Sequence, residues 1–271
     1  MSKMRIDTLL VERGLFSSRE RAKSEIMAGH ILVANAVVDK AGTLVDPSKE
    51  IRIIGNALPY VSRGGLKLKK AIDCFGLFLE DMTIADIGAS TGGFTDVCLM
   101  EGAKKVYAID VGYGQLAYSL RQDSRVVVME RTNARYLNRD HFSERMDFVV
   151  TDVSFISLEK ILPAAYSILK EEAHMVALIK PQFEAGKDHI GKHGVVSDAE
   201  VQRRVIEKVI HFAQETGFLY MGLDFSPVAG PKGNIEFLLY LQKKDGASVD
   251  MSQDIADRID KVVMESQVLR K

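Results

Sequence analysis

The stretch that decides the fold is TIADIGASTGGFTDV, Thr83–Val97. A short apolar run carries one carboxylate near its end, breaks into small residues, and resumes as GGFTDVCLMEG with helical spacing. Strand, tight turn and helix in that order form the repeating unit of an open α/β sheet. Further strands read at KKVYAID, RVVVME, DFVVTDV and HMVALIK, and helices at GQLAYSLRQ and SLEKILPAAYSILK, where Pro163 is expected to break or restart the helix. Upstream, GGLKLKKAIDCFGL reads as a helix. SDAEVQRRVIEKVIHFAQETG opens with Ser197 and Glu200 at capping-box spacing and closes on Gly217, which delimits the best-marked helix of the chain. Two late strands, FLYMGLDFSPV and NIEFLLYLQK, lie close together across AGPKGN and are expected to pair antiparallel. From about Gly64 onward the expected class is α/β, a parallel sheet with helices on both faces.

Before Gly64 the texture differs. RIDTLLVERG and SRERAKSEIMAG each have helical periodicity and end on Gly14 and Gly29, and Ser17 or Ser18 is placed to cap the second helix. HILVANAVV and EIRIIG are short β-rich runs on either side of DKAGTLVDPSK, so a small α+β module is expected up to about Gly55. After Lys243 the chain reads as a polar linker and an amphipathic helix packed on the surface.

Composition narrows the class of function. Of 271 residues, 46% are apolar and 27% charged, which is globular and sufficient for a core in one or two domains. The start, MSKMRIDTLLVERG, has no apolar segment of a secretory signal, and no run approaches the roughly 18 apolar residues of a membrane span. A cytoplasmic protein without a membrane partner is expected. The two cysteines, Cys74 and Cys98, fit a reducing compartment and are expected as small buried side chains. The net charge of −1 conceals a basic N-terminal patch: residues 1–60 are slightly basic, and VSRGGLKLKK adds Arg63, Lys67, Lys69 and Lys70 without an acid.

The glycine loop, Gly88 to Gly93, lacks the G-x-G-x-x-G spacing of a dinucleotide site and the Gly-Lys-Ser/Thr of a phosphate loop, so neither a pyrophosphate nor a triphosphate is expected. It has a carboxylate on each side, Asp86 before it and Asp110 at the end of the next strand, 110 − 86 = 24 residues on. Asp110 suits ribose hydroxyls, and Asp86 at the loop mouth suits an ammonium or sulfonium. A ligand that joins adenosine to an amino acid is S-adenosylmethionine, and DIGASTGGF resembles the first motif of class I methyltransferases. The expected cofactor-binding residues are Asp86, Gly88, Ala89, Ser90, Gly92 and Asp110, with Phe94 as a lining residue and Asn133 as a contact to adenine.

The acceptor is read from the strand ends that line such a crevice. The fourth strand ends in Asp152 and the fifth in Lys180; Glu236 stands between apolar neighbours in the last strand, and Lys67 lies on the basic helix. Lys67, Asp152, Lys180 and Glu236 in chain order resemble the tetrad of FtsJ-like 2′-O-ribose methyltransferases. A hydroxyl that attacks a sulfonium methyl must lose its proton, and a lysine takes it only if burial and a neighbouring cation lower its ordinary pKa of about 10.4. Lys180 is expected as the base or hydroxyl-orienting group, assisted by Lys67, with Asp152 and Glu236 orienting both. Methylation of a base amino group usually uses an Asn/Asp-Pro-Pro-aromatic turn, and DVSF has neither proline. Carbon-5 methylation needs a cysteine at a strand end, and both cysteines fall on helices. Ribose remains. His189 and His193 are four apart in KDHIGKHGVV, but the glycine between them and the missing glutamate speak against zinc; EAGKDHIGKHG reads better as a flexible lid.

RIDTLLVERGLFSSRERAKSEIMAGHILVANAVV is similar to the S4 RNA-binding domain through Arg5, Asp7, Leu9, Gly14, Ser18, Arg19, Ala22, Ile26, Gly29 and Val33. Arg5, Arg19, Arg21 and Lys23 are the expected phosphate contacts, by shape rather than sequence. Arg63, in the basic stretch between the modules, is expected to couple RNA docking to catalysis. The succession of this module, VSRGGLKL, DIGASTGGFTD, TDVSFISL, KPQFE and GNIEF looks like the TlyA family, often labelled haemolysin. That resemblance implies an S4-like domain over 1–60, a Rossmann-like FtsJ-type methyltransferase domain over 61–244 and a C-terminal segment over 245–271. It also implies 2′-O-methylation of cytidine in ribosomal RNA of the large and, in some members, the small subunit. The chain departs from many members at Lys232 in GPKGN, where they carry serine. Two rival readings are an RNA-binding ribosome assembly factor that holds the cofactor without turnover, and a membrane-lytic haemolysin.

Overall fold

The computed structural model describes residues 3–16, 18–27, 30–34, 36–53, 59–191, 193–230, 232–246 and 249–270. Ser17, Gly29 and Gly55, expected as a cap, a helix end and a module end, lie outside the described residues. The chain divides into two compact units, Met1–Val61 and Ser62–Lys271.

In the first unit, helices α1 (Ile6–Glu12) and α2 (Arg19–Met27) pack on each other through Ile6, Leu9, Leu10, Phe16, Ala22 and Ile26, joined by Ile31 and Val45 from the strands. Strand β1 (Met4–Arg5) pairs with β4 (Leu44–Val45), while β2 (Ile31–Val33) lies between β3 (Ala36–Val38) and β5 (Ile51–Ile53), all antiparallel. Ser18 receives the N–H of Arg21 at 3.2 Å, so it does cap the second helix.

The second unit is built on a seven-stranded sheet. Its strands are β6 (Thr83–Ile87), β7 (Lys105–Ile109), β8 (Val126–Met129), β9 (Met146–Thr151), β10 (Leu169–Ile179), β11 (Phe218–Phe225) and β12 (Phe237–Lys243), in the order β11-β12-β10-β9-β6-β7-β8. The five strands from β10 to β8 are parallel, and β12 runs antiparallel to both its neighbours. After β8 the chain returns past β6 to form β9, so strand order reverses at β6, and ligands of open α/β sheets bind at such a switch point.

Helices α3 (Gly64–Phe75) and α4 (Gly93–Met100) pack on one face; α6 (Leu162–Ile168), α8 (Ala199–Thr216) and α9 (Gln253–Ser266) cover the other. The short α5 (Tyr118–Gln122) lies beside β8. Because both faces are covered, the central strands are apolar almost throughout. Pro163 falls in the first turn of α6, after a separate 3-10 turn at Leu158–Lys160, as a helix restart requires.

Some local expectations fail for identifiable reasons. The cap of α8 is Asp198, whose side chain receives the N–H of Glu200 at 2.8 Å, in place of Ser197. Both residues are competent caps, and one residue of phase along the chain separates them. Cys74 is exposed, because it lies on the outer side of α3, whereas Cys98 is buried in α4. The C-terminal helix is more than a surface addition: Ile255, Ile259, Val262 and Val263 of α9 belong to the main core.

Candidate active site

Ladder register explains how remote residues meet. Ile87 is level with Ile109 on one side and with Thr151 on the other, so Gly88, Asp110 and Asp152 leave three adjacent strands at one height. The antiparallel ladder of β10 and β12 ends at Ile179–Phe237, which sets Lys180 and Glu236 opposite each other just past it. Glu236 therefore precedes the last strand instead of lying within it. Lys67 approaches from the first turn of α3, on the buried face that also carries Leu68, Ala71 and Ile72.

These four side chains are in contact. Lys67 Nζ lies 3.1 Å from Asp152 Oδ2 and 2.7 Å from Glu236 Oε2. Lys180 Nζ is ion-paired with Asp152 Oδ1 and donates to Ser154 Oγ at 2.8 Å. Exposure is 9% for Lys67, 7% for Lys180 and 1% for Glu236, so charges would be costly here if they did not balance. They do balance, two ammoniums against two carboxylates. Burial alone would lower the pKa of Lys67, but the Asp152 and Glu236 carboxylates outweigh it and hold it above its ordinary value. Lys67 is therefore a standing cation, not the lysine of lowered pKa that proton abstraction requires.

The basic stretch around it dissolves on inspection. Lys69 pairs with Asp73 and Glu101, and Lys70 with Asp224 and the carbonyl of Phe225. Arg63, at the N-cap of α3, is exposed and pairs with no described carboxylate.

A cleft of about 470 Å³ opens at the same edge, lined by Gly88, Ser90, Asp110, Asn133, Asp152 and Ser154 among others. Its size is that of small-ligand sites, roughly 300–1,000 Å³. Gly88 has φ +86°, and a Cβ there would stand 2.8 Å from the carbonyl oxygen of Asp152, so only glycine lets the two strand ends meet. Asp110 is fixed by the N–H of Ser90 on Oδ2 at 2.8 Å and that of Gly112 on Oδ1 at 2.7 Å. Each oxygen keeps a lone pair for a ligand hydroxyl. Asn133 Oδ1 receives the N–H of Arg135 at 3.1 Å, which leaves its NH₂ for a ring nitrogen. Carboxylates on opposing walls, Asp110 and Asp152, suit a ligand with ribose hydroxyls and a positive charge, so the residues present fit S-adenosylmethionine.

Four expected cofactor residues, Asp86, Ala89, Gly92 and Phe94, do not line the cleft. Alternation along β6 turns Ala85 and Ile87 to the face of α6 and α8, and thus Ile84 and Asp86 to the face of α4. Asp86 is wholly buried there and accepts the hydroxyl of Thr95 at 2.6 Å; it supports the loop from below and does not line the cleft. Phe94 is buried in α4 and does not line it either. Gly92 has φ +96° and is packed against Leu116 and Leu120, while Ala89 donates its N–H to Ile109 O at 3.1 Å. Sequence reading passed over Ser154, Phe155, Phe183 and Glu184, all inside the quoted TDVSF and KPQFE. The signal was an aromatic residue soon after each charged one.

Burial pushes Asp86 up to about 7, against the pull of the Thr95 hydroxyl, and Asp152 and Asp110 add to the rise. Its folded value lies above its unfolded one, so its stabilising contribution is complete below about pH 4 and is lost as pH rises through 7. Relative to Asp86→Asn, which cannot titrate, the wild type is expected to lose up to roughly 4 kcal/mol of stability between pH 4 and pH 8. Urea unfolding of both proteins across that range measures the difference; parallel curves would refute it.

In the first unit, Asp7 is buried and receives Arg5 Nε and Nη2 at 3.1 Å each and Arg19 Nη2 at 2.9 Å. Those guanidiniums hold its carboxyl well below the usual range, with Arg5 the larger influence and burial opposing. Both arginines remain half exposed, with donors to spare. Arg21 and Lys23 are partly exposed on the same helix, α2.

The loop expected as a lid is tied at its far end, where Asn234 receives the N–H of Val196 and donates to the carbonyl of Gly194, both at 2.9 Å. No helix among the described residues is long and apolar enough to cross a membrane.

The chain matches the FtsJ-like methyltransferase family over residues 60–243 and the S4 domain over residues 4–51. It is 51% identical over 240 residues to YqxC of Bacillus subtilis, covering 88% of this chain and 85% of that one. It is 41% identical over 262 residues to the 16S/23S rRNA (cytidine-2′-O)-methyltransferase TlyA of Mycobacterium tuberculosis, covering 96% and 97%. A solved structure labelled as a haemolysin of Streptococcus thermophilus superimposes with a TM-score of 0.79 at 47% identity, covering 100% of this chain and 98% of that one. With a switch-point cleft, a charge-balanced tetrad at its mouth and an S4 domain ahead of it, the chain belongs to the FtsJ-like methyltransferases, which use S-adenosylmethionine, and among them to the haemolysin-labelled TlyA family.

Proposed function

We propose that this protein methylates the 2′-oxygen of a cytidine ribose in ribosomal RNA, acting on ribosomal subunits in the cytoplasm. The observation that carries the reading is the buried set Lys67, Asp152, Lys180 and Glu236 at the mouth of the cleft. The Mycobacterium tuberculosis relative, whose name states this reaction on both 16S and 23S RNA, supports the choice of cytidine and of substrate.

S-adenosylmethionine supplies an electrophilic methyl group on a sulfonium. Asp110 would hold the ribose hydroxyls of that cofactor and Asn133 its adenine, and the backbone of Gly88 and Ser90 would form the floor, with Ala89, Gly92 and Asp86 shaping the loop from beneath. Lys180 Nζ directs the acceptor hydroxyl and, once it has given its own proton to solvent, takes the hydroxyl proton as the methyl leaves sulfur; it reaches Asp152 and Ser154, which line the cleft. Asp152 stabilises the resulting ammonium. Lys67, pinned by Glu236, orients Asp152 and adds the charge that holds the site near neutrality. Arg5, Arg19, Arg21 and Lys23 grip RNA phosphates, and exposed Arg63 offers the second unit a phosphate contact of its own.

Phe155 adds an acceptor wall. Its ring is 91% exposed, its φ is +63°, and it lies 5.1 Å from the ring of Phe183. An exposed aromatic beside Asp152 suits stacking on an unpaired base. Phe155→Ala is expected to raise KM for ribosomal subunits by about 10-fold, as loss of one stacked base implies, while calorimetric cofactor affinity stays within about twofold. An unchanged KM would remove Phe155 from the acceptor site.

The reaction is tested by incubating unmodified subunits with methyl-labelled cofactor, followed by alkaline hydrolysis. A 2′-O-methyl group blocks attack by that oxygen on the neighbouring phosphate, so label should appear in an alkali-resistant dinucleotide. Label in mononucleotides would mean base methylation; cofactor binding without transfer to either subunit would favour an assembly factor.

A further inference from the structure

We propose that Glu184 is a positioning residue for methyl transfer: its carboxylate bolts the loop bearing Asp152, Ser154 and Phe155 to the turn bearing Lys180 and Phe183. The proposal rests on the tetrad reading above. Lys180 is the N-cap of the single-turn helix α7 (Pro181–Glu184), and Glu184 is its last residue. Only 8% of Glu184 is exposed, and it makes no ion pair among the described residues. A carboxylate with no cation in contact is expensive to bury, and that burial raises its pKa against the pull of its hydrogen bonds and of Lys208.

What it does there is accept two directional bonds from the neighbouring loop. Oε1 receives the N–H of Leu158 at 2.8 Å, and Oε2 the hydroxyl of Ser157 at 2.7 Å. Ser157 in turn caps the 3-10 turn that follows, receiving the N–H of Glu159 at 3.2 Å. Five residues earlier in that loop is Asp152, and between them the chain has no helix or strand. Three other contacts join the same pair of segments: Lys180 Nζ with Asp152 Oδ1 and with Ser154 Oγ, and the Phe155 and Phe183 rings. Buried Leu158 holds the loop in depth, but apolar packing does not fix its rotation. Glu184 supplies the orientation, so the distance from Lys180 to the acceptor oxygen depends on a residue that touches neither substrate nor cofactor.

The test uses the full chain, with Glu184→Ala, Glu184→Gln and Ser157→Ala beside the wild type, in single-turnover methyl transfer to ribosomal subunits, with thermal melting and amide exchange over residues 152–158. Since misplacement of about 1 Å costs about 100-fold, Glu184→Ala should lower kcat about 30- to 100-fold with the cofactor KM within about threefold. Glutamine keeps an acceptor for Leu158 and offers an amide donor to Ser157 Oγ, so Glu184→Gln should retain kcat within about threefold. Ser157→Ala, which removes one bond and leaves Leu158 in place, should lose about 5- to 10-fold with little change in melting temperature. Wild-type kcat per folded molecule in Glu184→Ala, or equal damage by glutamine and alanine, would overturn the proposal and leave the tetrad reading intact. If the wild type methylates neither subunit, that reading fails and exchange decides the positioning claim. Faster exchange at 152–158 in Glu184→Ala, with β6 unchanged, supports it; unchanged exchange refutes it.

Discussion

Lys180→Met is expected to lower methyl transfer about 1,000-fold, within the range of 10²–10⁴ for a general base, while cofactor affinity changes little. Methionine keeps the unbranched stem and its packing but has no nitrogen to hold a proton. The cofactor walls, Asp110 and Asn133, lie on the other side of β6 and are untouched. The measurement is single-turnover transfer with labelled cofactor, beside calorimetric binding. A loss under tenfold would transfer the proton-accepting role away from Lys180. Lys67 is a poor replacement, because its two carboxylate neighbours keep it charged.

Asp152→Asn is expected to damage both activity and stability, and to do so through charge. Asparagine has nearly the same shape, yet it leaves two buried ammoniums facing Glu236 alone. A buried pair broken on one side costs about 3–5 kcal/mol; Asp152 keeps some solvent contact, so the low end, about 3 kcal/mol, is expected at pH 7. Asp152→Asn combined with Lys180→Met restores neutrality, one ammonium against one carboxylate, and is expected to recover most of the stability and none of the activity. Chemical unfolding of the four proteins of this cycle checks the coupling. Additive losses would show that charge balance does not hold the site together.

The strand-and-helix alternation, the glycine turn, the S4-type module and the meeting of Lys67, Asp152, Lys180 and Glu236 at one edge are legible, because each rests on a local pattern or on strand ends that must share one edge. Asp86 and Phe94, expected as cofactor contacts, lie off the cleft for one reason. Nearness along the chain to the glycine loop is not nearness to its ligand, since side chains alternate in direction along β6 and Phe94 turns inward on α4. The basic stretch misled for another: Lys67, Lys69 and Lys70 are each answered by acids that include partners far along the chain, Asp152, Glu101 and Asp224. Glu184 escaped notice because a lone glutamate at the end of KPQFE carries no pattern; its meaning lies in Ser157 and Leu158.

The sequence by itself determined the secondary structure, the sheet class and which residues emerge at the carboxyl edge, because hydrophobic periodicity and turn chemistry are local properties of the chain. Only the tertiary structure decided which charges neutralise one another, which lysine stays protonated, and which carboxylate faces a ligand or a core. Those depend on distances between segments and on exclusion of water, and neither quantity is written in the spacing of residues along a single strand or helix.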